Sequence, residues 1–439
     1  MSFTTTEELY THFRQQGRVT TDSRRILPED IFFALRGDRF DGHDYADQAL
    51  ADGAAYAVVD RKSAVQSDRY LLVPDVLEAL QSLARHHRRQ FALPVVAITG
   101  SNGKTTTKEL MAAVLGGHYR LHFTQGNFNN HIGVPLTLLA MPGDTEIAVI
   151  EMGANHQGEI DALCRIAEPT HGLITNIGYA HLEGFGGLEG VKKGKSELYR
   201  YLAATKGVAF INEDEKYLGE LAVMVGRKVY YHCSEHPDPD HVPMEIVCRG
   251  IHPHIQVAFL GEGARLYEAK SQLSGVHNLQ NIKTAIAVGK YFKVPATVIV
   301  EAIEGYVPAN NRSQWLERGG VRYFLDAYNA NPSSMAASLD NFARQSHPHR
   351  AVILGDMLEL GEESEAAHRR IAEQAVGLGF SKVILVGPHF RAAAESLGLP
   401  HYADVAALKA AWDREDHAGQ TILLKGSRGM ALEGLLAEG

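Results

Sequence analysis

The stretch VVAITGSNGKTTTKEL, residues 95–110, decides the fold. Its first five residues form a short apolar run after Pro94, the pattern of a parallel strand buried on both faces. A glycine-rich turn follows, Gly100-Ser101-Asn102-Gly103-Lys104-Thr105-Thr106, and the next residues read as a helix. Glycines let a backbone curl until its N–H groups face a polyphosphate. The helix N-terminus adds the positive end of its dipole. Lys104 can neutralise the outer phosphate oxygens, and the Thr105 hydroxyl can reach Mg²⁺. The loop is shorter than the eight-residue GxxxxGK[ST] form. A chance glycine-rich turn is the alternative, and the flanking strand and helix argue against it.

Outward from this loop, strands and helices alternate. AVIEMG, GLITNIG and GVAFINED read as strands, each beside a helical stretch, which implies a parallel sheet with helices on both faces. From about Tyr230 to Leu273 the segments become short, with Pro and Gly, and an antiparallel insert or edge is expected. NLQNIKTAIAVGKYF reads as a helix. Pro308 and the run ANNR mark a break, after which VRYFLDAYNANP, RAVILGDM, KVILVG and TILLKGSRG read as strands of a second α/β unit. Before the loop, the chain up to about Phe91 is charged and ends in the basic stretch ARHHRRQ. The expected organisation is therefore α/β in three domains: a small α/β domain over 1–92, a central P-loop parallel-sheet domain over 93–307, and a Rossmann-like α/β domain over 308–439.

Composition fits that division. The chain has 439 residues, 45% hydrophobic and 22% charged, as in a soluble globular protein of two to four domains. Forty-three basic residues stand against 52 acidic ones, a formal net charge of −9. A broad nucleic-acid or anionic-membrane surface is not expected from that balance. No window resembles a bilayer span or a signal peptide. Three cysteines without a CxxC pair read as reduced thiols, and a cytoplasmic protein is expected.

Several side chains are placed to do chemistry. Glu151 ends a strand near the loop, where a carboxylate is well set to hold Mg²⁺. Asn278 and Asn281 lie one helical turn apart and share a face, as binding residues or as a cap plus a solvated amide. Asp326, at a strand end, suits ribose hydroxyls. Asn329 and Asn331 follow it in a stretch that also fits a plain turn. Lys425 and Arg428 follow another strand and suit a carboxylate or phosphate. Ser23, Arg24 and Arg36 suit a diphosphate or a uracil by chemistry. His181, in a Gly-rich loop, and Lys192, Lys193 and Lys195 read, unaided, as solvated or structural residues.

The motifs TGSNGKTTT, TDSR, TQGNFNNHIGVPLTLL, IEMGANHQGEI, NIGYAHLEGFG, NLQNIKTAIAV, DAYNANPSSM, GDMLELG and KGSRGMALE run through nearly the whole chain. Together they resemble the Mur ligases, ATP-dependent amide-forming enzymes of peptidoglycan precursor synthesis. The resemblance implies ligation of D-alanyl-D-alanine to UDP-MurNAc-tripeptide through an acyl phosphate, in a monomer. It implies ATP as co-substrate and two Mg²⁺ ions held by Thr105, Glu151, His181 and Lys195, with Lys195 carbamylated by CO₂. It assigns catalysis to Lys104, His181 and Lys195, the adenine to Asn278 and Asn281, and phosphate contacts to Arg312. TDSR and the run from Ala34 to His43 would hold the UDP-sugar. Asp356 and Glu359 match positions near the acceptor side. One departure is Glu29, where a Gly is expected. Two rivals share the loop. In the folylpolyglutamate synthases it lies nearer the N-terminus, and the ligase adding the third amino acid carries a DNPR-type motif instead of DAYNANP. An ATP-gated binding protein would have no use for His181 or Lys195.

Overall fold

The computed structural model describes residues 2–37, 40–234, 244–309, 311–347, 349–412 and 417–436. Asp38 and Arg39 of the run from Ala34 to His43, and Asn310 of the ANNR break, lie outside the described residues. Three sheets organise the chain, with a small two-stranded pair, Arg36–Gly37 with Phe40–Asp41, beside the first.

The N-terminal sheet has four parallel strands in the order Val19–Thr20, Ile31–Phe33, Tyr56–Val59 and Tyr70–Leu72. Glu29, before the second of these, has φ 69°. That is the left-handed conformation a glycine adopts without penalty, so the expectation of Gly there follows from the backbone. The basic stretch ARHHRRQ is largely helical. It closes the helix Val76–Arg88, which Asp75 caps by accepting from the Glu78 N–H at 2.8 Å. This helix packs on the helix Gly133–Leu139 of the central sheet. Arg88 is buried and donates to the carbonyls of Ala167, Phe91 and Glu168 at 3.0, 2.8 and 3.2 Å. What reads as a polar break is thus an anchor between the first two sheets.

The central sheet has nine strands. Seven run parallel, in the order Leu121–Phe123, Ile147–Glu151, Val95–Thr99, His171–Ile174, Val208–Asn212, Arg227–Ser234 and Met244–Gly250. Gln256–Leu260 and Leu266–Lys270 complete it as antiparallel strands. The region from Tyr230 to Leu273 is therefore an edge, and its first two strands are parallel rather than antiparallel. Val95–Thr99 is fully buried, with Val95 and Ala97 in one core and Val96 and Ile98 in the other. That two-sided burial is why the run lacks polar alternation. The chain passes from Val95–Thr99 to the sheet edge, returns at Ile147–Glu151, then crosses to His171–Ile174. The strand order switches around Val95–Thr99, and a crevice opens beyond its carboxyl end, where ligands bind in open α/β sheets.

The third sheet has six strands. Val321–Leu325, Thr421–Lys425, Arg350–Gly355, Lys382–Val386 and His401–Tyr402 are parallel, and Gln314–Arg318 adds an antiparallel edge. Apolar cores on its two faces, around Phe324 and Leu385 and around Tyr323 and Ile384, make it a second doubly covered α/β unit. Among the described residues no helix is long and apolar enough to cross a membrane.

Candidate active site

A cleft of about 890 Å³ lies between the central and third sheets, within the range of small-molecule sites. Its floor is the loop after Val95–Thr99. Gly100 has φ 141°, and a Cβ there would meet Thr175 Oγ1 at 2.0 Å. Gly103 has φ 77° and caps the helix Lys104–Gly116, and a Cβ would meet Asn281 Oδ1 at 2.5 Å. Both positions exclude a side chain by conformation and by space. Asn176 fixes the turn: its carbonyl and side-chain oxygens accept the N–H groups of Ser101 and Asn102, each at 3.0 Å. The opening turn of the helix, Gly103 to Thr106, lines the cleft, and its first N–H groups have no partner within the helix.

Lys104 curls over the loop, donating to the carbonyls of Gly100 at 2.7 Å and Ser101 at 3.2 Å. Burial holds its ammonium below the usual lysine range, against the nearby charge of Glu151. Glu151 is buried at the strand end. Its Oε1 accepts from Thr105 Oγ1 at 3.1 Å and from Asn129 Nδ2 at 2.8 Å. Its Oε2 is buried without a hydrogen-bond partner among the described residues, and the Lys108 ammonium lies 3.8 Å away. A carboxylate oxygen so placed, beside a threonine hydroxyl at the mouth of a phosphate loop, fits a hard cation such as Mg²⁺.

His181 lines the same cleft and hydrogen-bonds through Nδ1 to Glu359 of the third sheet's unit. Burial lowers the imidazole pKa, and Glu359 opposes the shift. The three lysines separate by burial. Lys193 is exposed, and Lys192 pairs with Glu189 at 2.6 Å. Lys195 is 1% exposed, closes the helix Leu188–Lys195 and donates to the Ala154 carbonyl at 3.0 Å. Burial, reinforced by the charge of Lys104, drives its pKa well below the lysine range, against Glu159 and Glu197. A neutral amine is the form that adds CO₂.

Asn278, Asn281, Arg312, Asp326, Asn329, Asn331 and Lys425 also line the cleft. The two helix asparagines are turned toward the protein. Asn281 Nδ2 donates to Asn278 Oδ1 at 3.2 Å, and Asn281 Oδ1 accepts from Thr107 at 3.0 Å. Asn278 Nδ2 donates to the Ser274 carbonyl at 3.0 Å and to Ser313 Oγ at 3.2 Å. The Arg312 guanidinium lies 3.4 Å from the centre of the Tyr328 ring. Asp326 is ion-paired with Lys425 at 2.8 Å; burial pushes its carboxyl up, but Lys425 together with His277 and Ser338 keeps it below the usual range. Asp356 is structural: its carboxylate accepts the N–H groups of His389 and Phe390 at 3.0 and 3.1 Å. Arg428 pairs with Glu433.

The N-terminal candidates lie apart from these. Ser23, Arg24 and Arg36 do not line the cleft. Arg24 is exposed and paired with Asp22 at 2.8 Å, and Arg36 is exposed and paired with Asp60. Asn129 and Lys108, both against Glu151, are not among the residues singled out from sequence. Asn129 stands within the motif TQGNFNNHIGVPLTLL, and Lys108 follows Lys104 by one helical turn.

Family models match nearly the whole chain: the Mur ligase family catalytic domain over residues 17–88, the Mur ligase middle domain over 98–289, and the Mur ligase glutamate ligase domain over 311–428. The chain belongs to the Mur ligase family. Among relatives of this Mur ligase is UDP-N-acetylmuramoyl-tripeptide–D-alanyl-D-alanine ligase of Escherichia coli K12, 37% identical, with 94% of this chain and 92% of the relative covered. The structure of this chain resembles MurF from Acinetobacter baumannii with a TM-score of 0.85 at 32% identity, covering 95% of this chain and 92% of that one. It also resembles MurF of Thermotoga maritima in complex with ADP, with a TM-score of 0.81 at 27% identity and coverages of 95% and 96%.

Proposed function

We propose that this Mur ligase joins D-alanyl-D-alanine to UDP-MurNAc-tripeptide with hydrolysis of ATP. The observation that carries the reading is a phosphate loop sharing one cleft with Glu151 and His181, with Lys195 buried behind the cleft residue Ala154 and bonded to its carbonyl, in a chain that covers 92% of the relatives carrying that ligase name. The tripeptide carboxylate attacks the γ-phosphorus, ADP leaves and an acyl phosphate forms. The dipeptide amine then adds to that carbonyl, phosphate leaves and the amide remains.

Lys104 would leave the loop carbonyls and follow the γ-phosphate oxygens as charge develops on them. Gly100 to Thr106 would cradle the phosphates, with Arg312 closing on them from the third unit and Asp326 and Asn329 near the ribose. Thr105, Glu151, His181 and a carbamylated Lys195 would hold two Mg²⁺ ions. Magnesium supplies charge neutralisation at phosphate oxygens. Ser23, Arg24 and Arg36 would hold the UDP moiety. The three-domain division at residues 92/93 and 307/308, a monomeric state and a cytoplasmic location belong to the same reading. Phosphate release, measured with each of ATP, Mg²⁺, UDP-MurNAc-tripeptide and D-Ala-D-Ala omitted in turn, tests it: only the complete mixture should turn over.

A further inference from the structure

Three residues beside the asparagine pair form a directed chain. Asn212 ends the strand Val208–Asn212 and is 1% exposed. Its Oδ1 accepts from the Lys283 ammonium and from the Asp214 N–H, each at 3.3 Å. Lys283, fully buried and ion-paired with Asp214, has only donors to offer. The Asn212 oxygen must therefore face Lys283, and its NH₂ must face the other way. There Asn212 Nδ2 donates to Gln280 Oε1 at 2.7 Å. This fixes the Gln280 amide in turn: its oxygen is used, and its NH₂ is left to point elsewhere.

Gln280 lines the cleft, and its Nε2 donates to no described residue. Glu215 lines the cleft too, held close by its N–H donating to the Asn212 carbonyl at 3.2 Å. The cleft wall thus carries a fixed donor, Gln280 NH₂, and Glu215. Asn278 and Asn281, by contrast, are engaged with each other and with Thr107, Ser274 and Ser313.

We propose that Gln280 is the residue that selects adenine over guanine in the nucleotide, with Lys283 and Asn212 as the positioning residues that set its amide. Adenine presents an acceptor ring nitrogen next to the N6 amino donor on either edge. Gln280 NH₂ matches the ring nitrogen and Glu215 the amino group. Guanine places the O6 acceptor where adenine has its amino group, so O6 would face the Glu215 oxygens. The inference rests on the ATP-dependent reading above and deepens it.

The test is titration calorimetry of ADP and GDP binding to the full-length wild type, Gln280→Leu and Asn212→Asp, with ligation by the wild type measured in parallel. Wild type should prefer ADP. Gln280→Leu should weaken ADP about tenfold and GDP much less. Asn212→Asp keeps Gln280 but accepts only, so the amide must turn and present its oxygen to the cleft. The same selective loss of ADP is expected, which a merely structural role would not give. An unchanged ADP/GDP ratio in Gln280→Leu overturns the inference, and Gln280→Leu decides if Asn212→Asp fails to fold. Wild-type ligation alongside that result leaves the ligase reading intact, whereas absence of wild-type ligation removes the reading itself.

Discussion

Asn331 Nδ2 donates to Asn102 Oδ1 at 2.7 Å, joining the third sheet's unit to the phosphate loop across 229 residues of sequence. Asn331 also caps the helix Pro332–Ala343 by accepting from the Ser334 N–H at 2.9 Å. Next to it, Ser333 Oγ accepts from the Tyr179 N–H at 3.2 Å. The nucleotide loop and the third unit are therefore held in register by short side chains at one helix start. Asn331→Ser retains a capping oxygen but cannot span to Asn102. Its stability should stay within about 1 kcal/mol of wild type, while KM for ATP rises several-fold. Urea unfolding with steady-state kinetics checks both; an unchanged KM would mean that the contact does not help to assemble the site.

Lys104→Ala should lower ATP-dependent phosphate release by about a hundredfold or more and leave the fold intact. The side chain's hydrogen bonds among the described residues go to loop carbonyls, so the fold does not hang on them. Phosphate release near the wild-type rate would remove the phosphate-loop assignment.

The UDP reading is separable because its residues lie away from the cleft. Arg24→Ala and Arg36→Ala should raise KM for the UDP substrate far more than for ATP or D-Ala-D-Ala. Both side chains are exposed, and their ion pairs with Asp22 and Asp60 contribute little to stability. Equal effects on all three substrates would indicate general destabilisation instead.

Local chemistry made the fold legible. The run Val95–Thr99, the two glycines and the strand-ending Glu151 each carry their signal within a few residues. The alternation of strands and helices was enough to expect the parallel sheets. Contacts between distant segments carried no such signal. His181 and Glu359 are 178 residues apart, and neither local sequence names the other. Lys108 was hidden because TTTKEL on a helix reads as a polar surface turn, whereas the fold buries that ammonium completely. Arg88 was hidden for the same reason: a basic run reads as solvated until a carbonyl cluster from another segment covers it. The asparagine pair was legible as a shared helix face, but its inward bonding depends on Ser274, Thr107 and Ser313.

His171 gives a stability prediction. It packs against Phe210, Tyr291 and Phe292, and burial pushes its pKa down to about 4, with Arg227 adding to the shift. The unfolded chain takes up the proton near pH 6.5, while the folded chain resists until about pH 4. The stabilisation from the neutral ring is thus full above about pH 6.5 and lost as pH falls through that window. It amounts to at most about 3 kcal/mol. His171→Phe should flatten the decline in urea stability between pH 7 and 5. A decline as steep as wild type would show that other groups dominate it.

Lys195 carries the sharpest expectation, because three lysines in eight residues ordinarily mark a solvated helix face. Burial separates it from Lys192 and Lys193, and its amine has a carbonyl partner, Ala154, rather than a carboxylate. Such an amine loses its proton readily and can add CO₂. The resulting carbamate is anionic and reaches further than the amine, as a ligand for a hard cation must. Lys195→Ala should be nearly inactive, and acetate or propionate should restore part of the rate by filling the vacated anionic position. Stripping CO₂ at low pH should lower wild-type activity, and bicarbonate should return it. Intact-protein mass and ¹³C-bicarbonate NMR supply a readout independent of turnover: one labelled carbamate, absent in Lys195→Ala and present in Lys193→Ala. A label that persists in Lys195→Ala but disappears in Lys193→Ala would move the modification to Lys193. A variant at Lys195 that keeps most of its activity would end the carbamate assignment.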